Sequence, residues 1–177
     1  FGGKFEKRVQ SRFTAPEEIK AMLLFYNPIA NPSVTLRKST LLKNNLTYHL
    51  DFFVAQDYQM WAQLIKVGNI AILPEYLLKY RFGHENISKI SNRDRVVRRK
   101  KLIDAIHEDL IQYYNIPLNK EEIEVFNDFF TESYGGAIQD MQTLTNVIRK
   151  LKVWNEQKKV FEQNIFLEVL DFCIFFA

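Results

Sequence analysis

A chain of 177 residues, 47% hydrophobic and 25% charged, is long enough to bury a core and too apolar to be disordered as a whole. A net charge of +3 is too small to argue for nucleic acid as a partner, and the single cysteine, Cys173, excludes an internal disulfide framework and a cysteine-based zinc site. No signal peptide is visible, and the start at Phe1 rather than Met suggests a processed chain or a fragment, read here as cytoplasmic or held at the inner face of the membrane.

In chain order, Thr14-Ala15-Pro16-Glu17 reads as a helix start, with Thr14 as cap and Glu17 reaching back, and the helix is expected to stop near Phe25, before Asn27-Pro28. Val34 to Arg37 is a short β-prone run, and Ser39 opens a helical turn through Leu42. Asp57 opens another helix, with Met60, Trp61, Leu64 and Ile65 on one face and Gly68 after its end. Ile70–Leu73 and Tyr76–Phe82 read as strands around Pro74.

Residues 91–101 carry 6 basic side chains against 1 acidic, whereas residues 102–177 carry 6 basic and 13 acidic. This basic collar suggests a change of module near residue 90. It reads as a solvated helix face, with contact to phosphates or lipid headgroups as the alternative; it lacks the interleaved aromatics that single-strand binding needs. Beyond it the pattern is helical: Ile103, Ile106, Leu110 and Tyr114 share a face, and Asn119 with Glu122 forms a capping-box variant ahead of Ile123, Phe126 and Phe130. Gly135-Gly136 is the next break, Ile138, Met141, Leu144, Ile148 and Leu151 make a third stripe, and a last helix follows Asn155. The apolar end, Ile165 to Ala177, is too short and too interrupted by Glu168 and Asp171 to span a membrane, and reads as a buried terminal helix.

The chemistry concentrates between Asn27 and Ser88. Asp57 lies at the mouth of a helix, where the helix dipole and free N–H groups stabilise a carboxylate that can accept a proton. Taken alone, that is only a cap. Its setting adds more: Asn31-Pro32-Ser33-Val34 upstream, then Gln56-Asp57-Tyr58-Gln59-Met60-Trp61, Gly68, Leu73-Pro74-Glu75, Leu77-Leu78-Lys79-Tyr80-Arg81, and His84 before Ser88. In order and spacing these pieces resemble the second half of the catalytic domain of family 2 glycosyltransferases of the GT-A type.

The resemblance implies an α+β chain. Residues 1–90 would form the acceptor-side half of an incomplete GT-A-like (nucleotide-diphospho-sugar transferase) lobe, and residues 91–177 a helical extension. It implies Asp57 as the catalytic base of an inverting transfer from a nucleotide-sugar donor to a carbohydrate or lipid-linked hydroxyl acceptor, in bacterial surface polysaccharide assembly. Tyr58 and Trp61 would shape the acceptor cleft or pack beneath the base. Arg81 would face the donor phosphates, and His84 would lie beside them as a metal contact. The family uses Mg2+ or Mn2+ held by an Asp-x-Asp, which does not occur in these residues, so the chain by itself is expected to be inactive. Gln56 stands where the family has Glu, and Asn31 where a His is common. Gln56 and the missing donor half leave a second reading open, a non-catalytic module that docks a partner or a membrane surface. His49 and His107 read as structural or exposed, and the sequons at Asn45 and Asn86 as chance.

Overall fold

The computed structural model describes residues 11–79, 93–131 and 140–176. Seven α-helices lie within them: α1 (Pro16–Met22), α2 (Lys38–Lys43), α3 (Gln56–Leu64), α4 (Arg93–Tyr113), α5 (Lys120–Phe130), α6 (Met141–Lys158) and α7 (Gln163–Phe176). Short 3-10 turns at Asn31–Ser33 and Leu50–Phe52 join the front elements.

The expected α+β lobe is not what forms. Among the described residues there is no strand. Residues 70–79 form neither helix nor strand and bend at Pro74–Glu75, and the long-range backbone bond made there is the Ile72 N–H to the Thr14 carbonyl. Leu73, Tyr76, Leu77 and Leu78 are exposed. An apolar, β-prone run becomes a strand only when a neighbour offers a ladder of donors and acceptors, and none of the described residues does so here. Val34–Arg37 fails for the same reason. Tyr80 to Phe82, the boundary near residue 90 and Gly135-Gly136 lie outside the described residues.

The helices follow from local signals. Pro16 at the first helical position fixes the start of α1 and makes Ala15 the N-cap, so Glu18, not Glu17, reaches back: its Oε2 accepts from the N–H groups of Thr14 and Ala15, both at 2.8 Å. After Met22 the bonding tightens into turns that carry the chain to Tyr26. Ile19 and Ala21 to Phe25 are all buried, so this segment is apolar on every side and occupies the centre of the molecule, with α7 packed along α1. The box before α5 forms as read: Asn119 Oδ1 accepts from Glu122 N–H and Glu122 Oε2 from Asn119 N–H, each at 2.9 Å.

The stripe on α3 is buried as expected, as are Ile103, Ile106 and Leu110 on α4 and Tyr114 just after it. On α6, Leu144 and Leu151 are buried as expected and Ile148 packs half-buried against the core, while Met141 at the helix start is exposed and Val147 and Trp154 complete the buried face. Asn155, fully buried, ties α6 to α7 by giving its amide to Phe161 O and Gln163 Oε1 and accepting from Phe161 N–H. Phe166, Val169, Leu170 and Cys173 bury the inner face of α7, and burial pushes the Cys173 thiol up to about 12, which leaves it unreactive. One hydrophobic cluster joins residues of α1, α3, α4, α5, α6 and α7. No helix among the described residues is long and apolar enough to cross a membrane.

Candidate functional site

An open groove of about 1720 Å³ runs along the N-terminal end of α3. Its walls come from the Asn27–Arg37 loop, from Gln56, Asp57, Tyr58 and Trp61 of α3, from the 68–78 segment, and from Val96, Arg99 and Ile103 of α4 with Phe130 of α5. The helical second half therefore supplies part of the same groove as the motif-bearing first half.

Asp57 occupies the second position of α3, with Ala55 as N-cap. Its Oδ1 accepts from Tyr58 N–H at 2.8 Å and its Oδ2 from the Asn27 amide at 3.4 Å. Asn27 is itself held, because its Oδ1 accepts from Ile29 N–H at 2.9 Å in a side-chain turn around Pro28. Just before the helix, Val54 adopts φ 78°, a left-handed conformation that a β-branched residue rarely takes. The strained turn redirects the chain so that the first turn of α3 faces the groove.

On the first two turns of α3, two buried polar atoms have no partner among the described residues. Trp61, four residues after Asp57 and so on the same helix face, lines the groove while only 1% exposed. Its indole N–H has no acceptor among the described residues, and Gln56 Oε1, also buried, has no donor there. Buried polar atoms without partners are uncommon, and a groove is where a ligand can supply them. Tyr48, which has no recognisable sequence signal, completes this side: its ring meets Trp61 edge-on at 6.3 Å and its hydroxyl donates to Asn31 Oδ1 at 3.0 Å. Burial, and then the charge of Asp57, push the Tyr48 phenol above its ordinary value, so it stays a hydrogen-bond donor beside the carboxylate.

Tyr58 points the other way, into the core. It is 3% exposed, its hydroxyl donates to Leu23 O at 2.9 Å, and His107 Nε2 lies 3.1 Å from the same oxygen. His107 Nδ1 lies 3.2 Å from Asn127 Oδ1. Arg81 and His84 lie outside the described residues. Within those residues no group of three His, Cys, Asp or Glu side chains could hold a metal ion, and no step below runs through one. Part of the basic collar is structural: burial opposes the charge of Lys100, but hydrogen bonds to Asp104 and Asp128, at 2.8 and 3.0 Å, outweigh it and raise the ammonium above its usual value.

Burial of His107 pushes its imidazole down from 6.5 to about 4, although Asn127, Asp104 and the Phe25 carbonyl all favour the charged ring. Between those two values the unfolded chain binds a proton that the folded one does not. Stability is therefore fully present above pH 6.5 and falls as pH drops toward 4, by up to about 3 kcal/mol. Urea unfolding over that window should show the slope in the wild type and lose most of it in His107→Gln. Glu122 is separable: burial opposes its charge, but Lys150 and the Asn119 N–H hold its carboxyl below 4.5, so its contribution fades only at more acid pH.

No protein-family model matches the chain, and no solved structure matches it. It is similar to a protein of Haemophilus influenzae named an uncharacterized glycosyltransferase, with 32% identity over 108 residues. The match covers 61% of this chain and 31% of that protein, so the matched segment spans about a third of the relative's length.

Proposed function

We propose that this chain carries the acceptor-side machinery of an inverting, family 2 type glycosyltransferase, with Asp57 as the base. The observation that carries the reading is the placement of Asp57: a half-buried carboxylate on the wall of a groove, held by Asn27 and Tyr58 N–H, with the unmet Trp61 N–H and Gln56 carbonyl on the same two turns of α3. The similarity to a glycosyltransferase of Haemophilus influenzae supports it. Asp57 takes the proton of an acceptor hydroxyl as that oxygen attacks the anomeric carbon of a nucleotide-sugar. The new oxygen–carbon bond forms, the bond to the phosphate oxygen breaks, and the nucleoside diphosphate leaves with the electron pair. Neighbouring hydroxyls of a carbohydrate or lipid-linked acceptor bind along the groove wall beside Asp57, and the transfer serves surface polysaccharide assembly.

The sequence holds no Asp-x-Asp to neutralise the donor phosphates, so this chain alone should transfer poorly. The test uses the protein in which it is joined to a donor-binding segment. The product's anomeric configuration, read by NMR, should be opposite to that of the donor; retention would remove the single displacement. Gln56 favours one other reading, a groove that binds a carbohydrate without turning it over, because an amide beside Asp57 cannot tune it by charge. Saturable acceptor binding with no transfer from any nucleotide-sugar would establish that reading instead.

A further inference from the structure

We infer that Tyr58, His107 and Asn127 form a buried positioning relay that sets the orientation of the Asp57 carboxylate. This rests on the reading of Asp57 as the base. The link is direct at both ends. The backbone N–H of Tyr58 donates to Asp57 Oδ1 at 2.8 Å, and the phenol on the same Cα ends between Leu23 O at 2.9 Å and His107 Nε2 at 3.1 Å. His107 belongs to α4 and Asn127 to α5, so the residue that touches the carboxylate is fixed through two helices of the second half of the chain.

All three side chains are buried, with His107 fully so. Three hydrogen-bonded polar groups in an apolar core favour one geometry. The protons follow from the distances. Asn127 Oδ1 is an acceptor, so His107 Nδ1 carries the hydrogen and Nε2 is left to accept. The Tyr58 hydroxyl donates to Leu23 O, and its oxygen lies 3.1 Å from His107 Nε2. The groups facing the ring are Asp104 and Lys100 of α4, Tyr58 of α3, Asn127 and the Phe126 ring of α5, and the Phe25 carbonyl after α1. With the ring held neutral by burial, the relay keeps one state across the neutral range.

The relay makes Asp57 geometry depend on a hydroxyl that never meets the substrate. Tyr58→Phe removes that hydroxyl and keeps the ring. In the protein joined to its donor-binding segment, Tyr58→Phe and His107→Gln should lower kcat about tenfold with donor KM unchanged, and both should move the 13C carboxyl shift of Asp57. The 15N shifts of His107 should report a neutral Nδ1–H ring from pH 5.5 to 8 in the wild type. In an Asp57→Asn background Tyr58→Phe should cost nothing further, because the group it positions is gone. If Asp57→Asn abolishes transfer while Tyr58→Phe leaves kcat and the Asp57 shift where they were, the relay is overturned and the base stands. If Asp57→Asn keeps full turnover, the reading of Asp57 as base fails, whatever the carboxyl and imidazole shifts show.

Discussion

Asp57→Asn is expected to lower sugar transfer by roughly 10²- to 10⁴-fold, the range a positioned general base contributes. The substitution is nearly isosteric. An amide oxygen can still accept from Tyr58 N–H, and α3 keeps Ala55 as its N-cap, so the helix should form unchanged. What the amide cannot do is take a proton from the acceptor hydroxyl. The loss should therefore appear in kcat and kcat/KM together, with donor affinity intact, the signature of an interaction made in the transition state. Initial rates with a nucleotide-sugar and a hydroxyl acceptor, paired with donor titration by calorimetry, separate the two. A fall in donor affinity alone would move Asp57 to the donor side, and retained turnover would remove it from the chemistry.

The sequence exposed those parts of the molecule whose causes lie within a few residues. The Asn119–Glu122 box was readable because both partners sit three positions apart and each satisfies the other. The buried faces of α3 and α4 were readable because helical spacing repeats along one segment. The strands at 70–79 were misread because a strand depends on a distant neighbour, and local β-propensity cannot report whether one is present. The α6 stripe was readable at Leu144, Ile148 and Leu151 and failed at Met141, which sits at the helix's first position, where the side chain is exposed. At the site, Asp57 and Trp61 carried a signal through the order of motifs around them. Tyr48 did not, since its role arises from contact with Asn31, 17 residues away. His107 was set aside for the same reason: its partners Tyr58 and Asn127 are 49 and 20 residues distant. Charge patterning marked off the second half of the chain, yet Val96, Arg99, Ile103 and Phe130 reach the groove. Composition records what a segment is made of, and says nothing of what it packs against.

Phe25→Ala should be among the most destabilising single substitutions in the chain. Phe25 is fully buried just beyond α1, its ring 4.8 Å from Phe130, 6.0 Å from Phe126 and 6.2 Å from Phe166. It therefore joins the central segment to α5 and α7 at once. Truncating a buried Phe loses its transfer free energy and leaves a cavity that these rings can close only in part, a cost of about 3–5 kcal/mol. A domain of this size has roughly 5–15 kcal/mol in total, so the variant gives up a large share of it. The urea midpoint should fall steeply while the slope stays unchanged, because the surface exposed on unfolding is nearly the same. Phe175→Ala supplies the contrast: at 79% exposure its loss should change stability by no more than about 0.5 kcal/mol. The larger effect should also reach the groove. Phe130 lines it and packs on Phe25, and the Phe25 carbonyl faces His107, so collapse of the rings would loosen both a groove wall and the support beneath Tyr58. A Phe25→Leu variant, which refills most of the cavity, should recover much of the stability; failure to do so would mean that the aromatic contacts, rather than the volume, hold the three segments together.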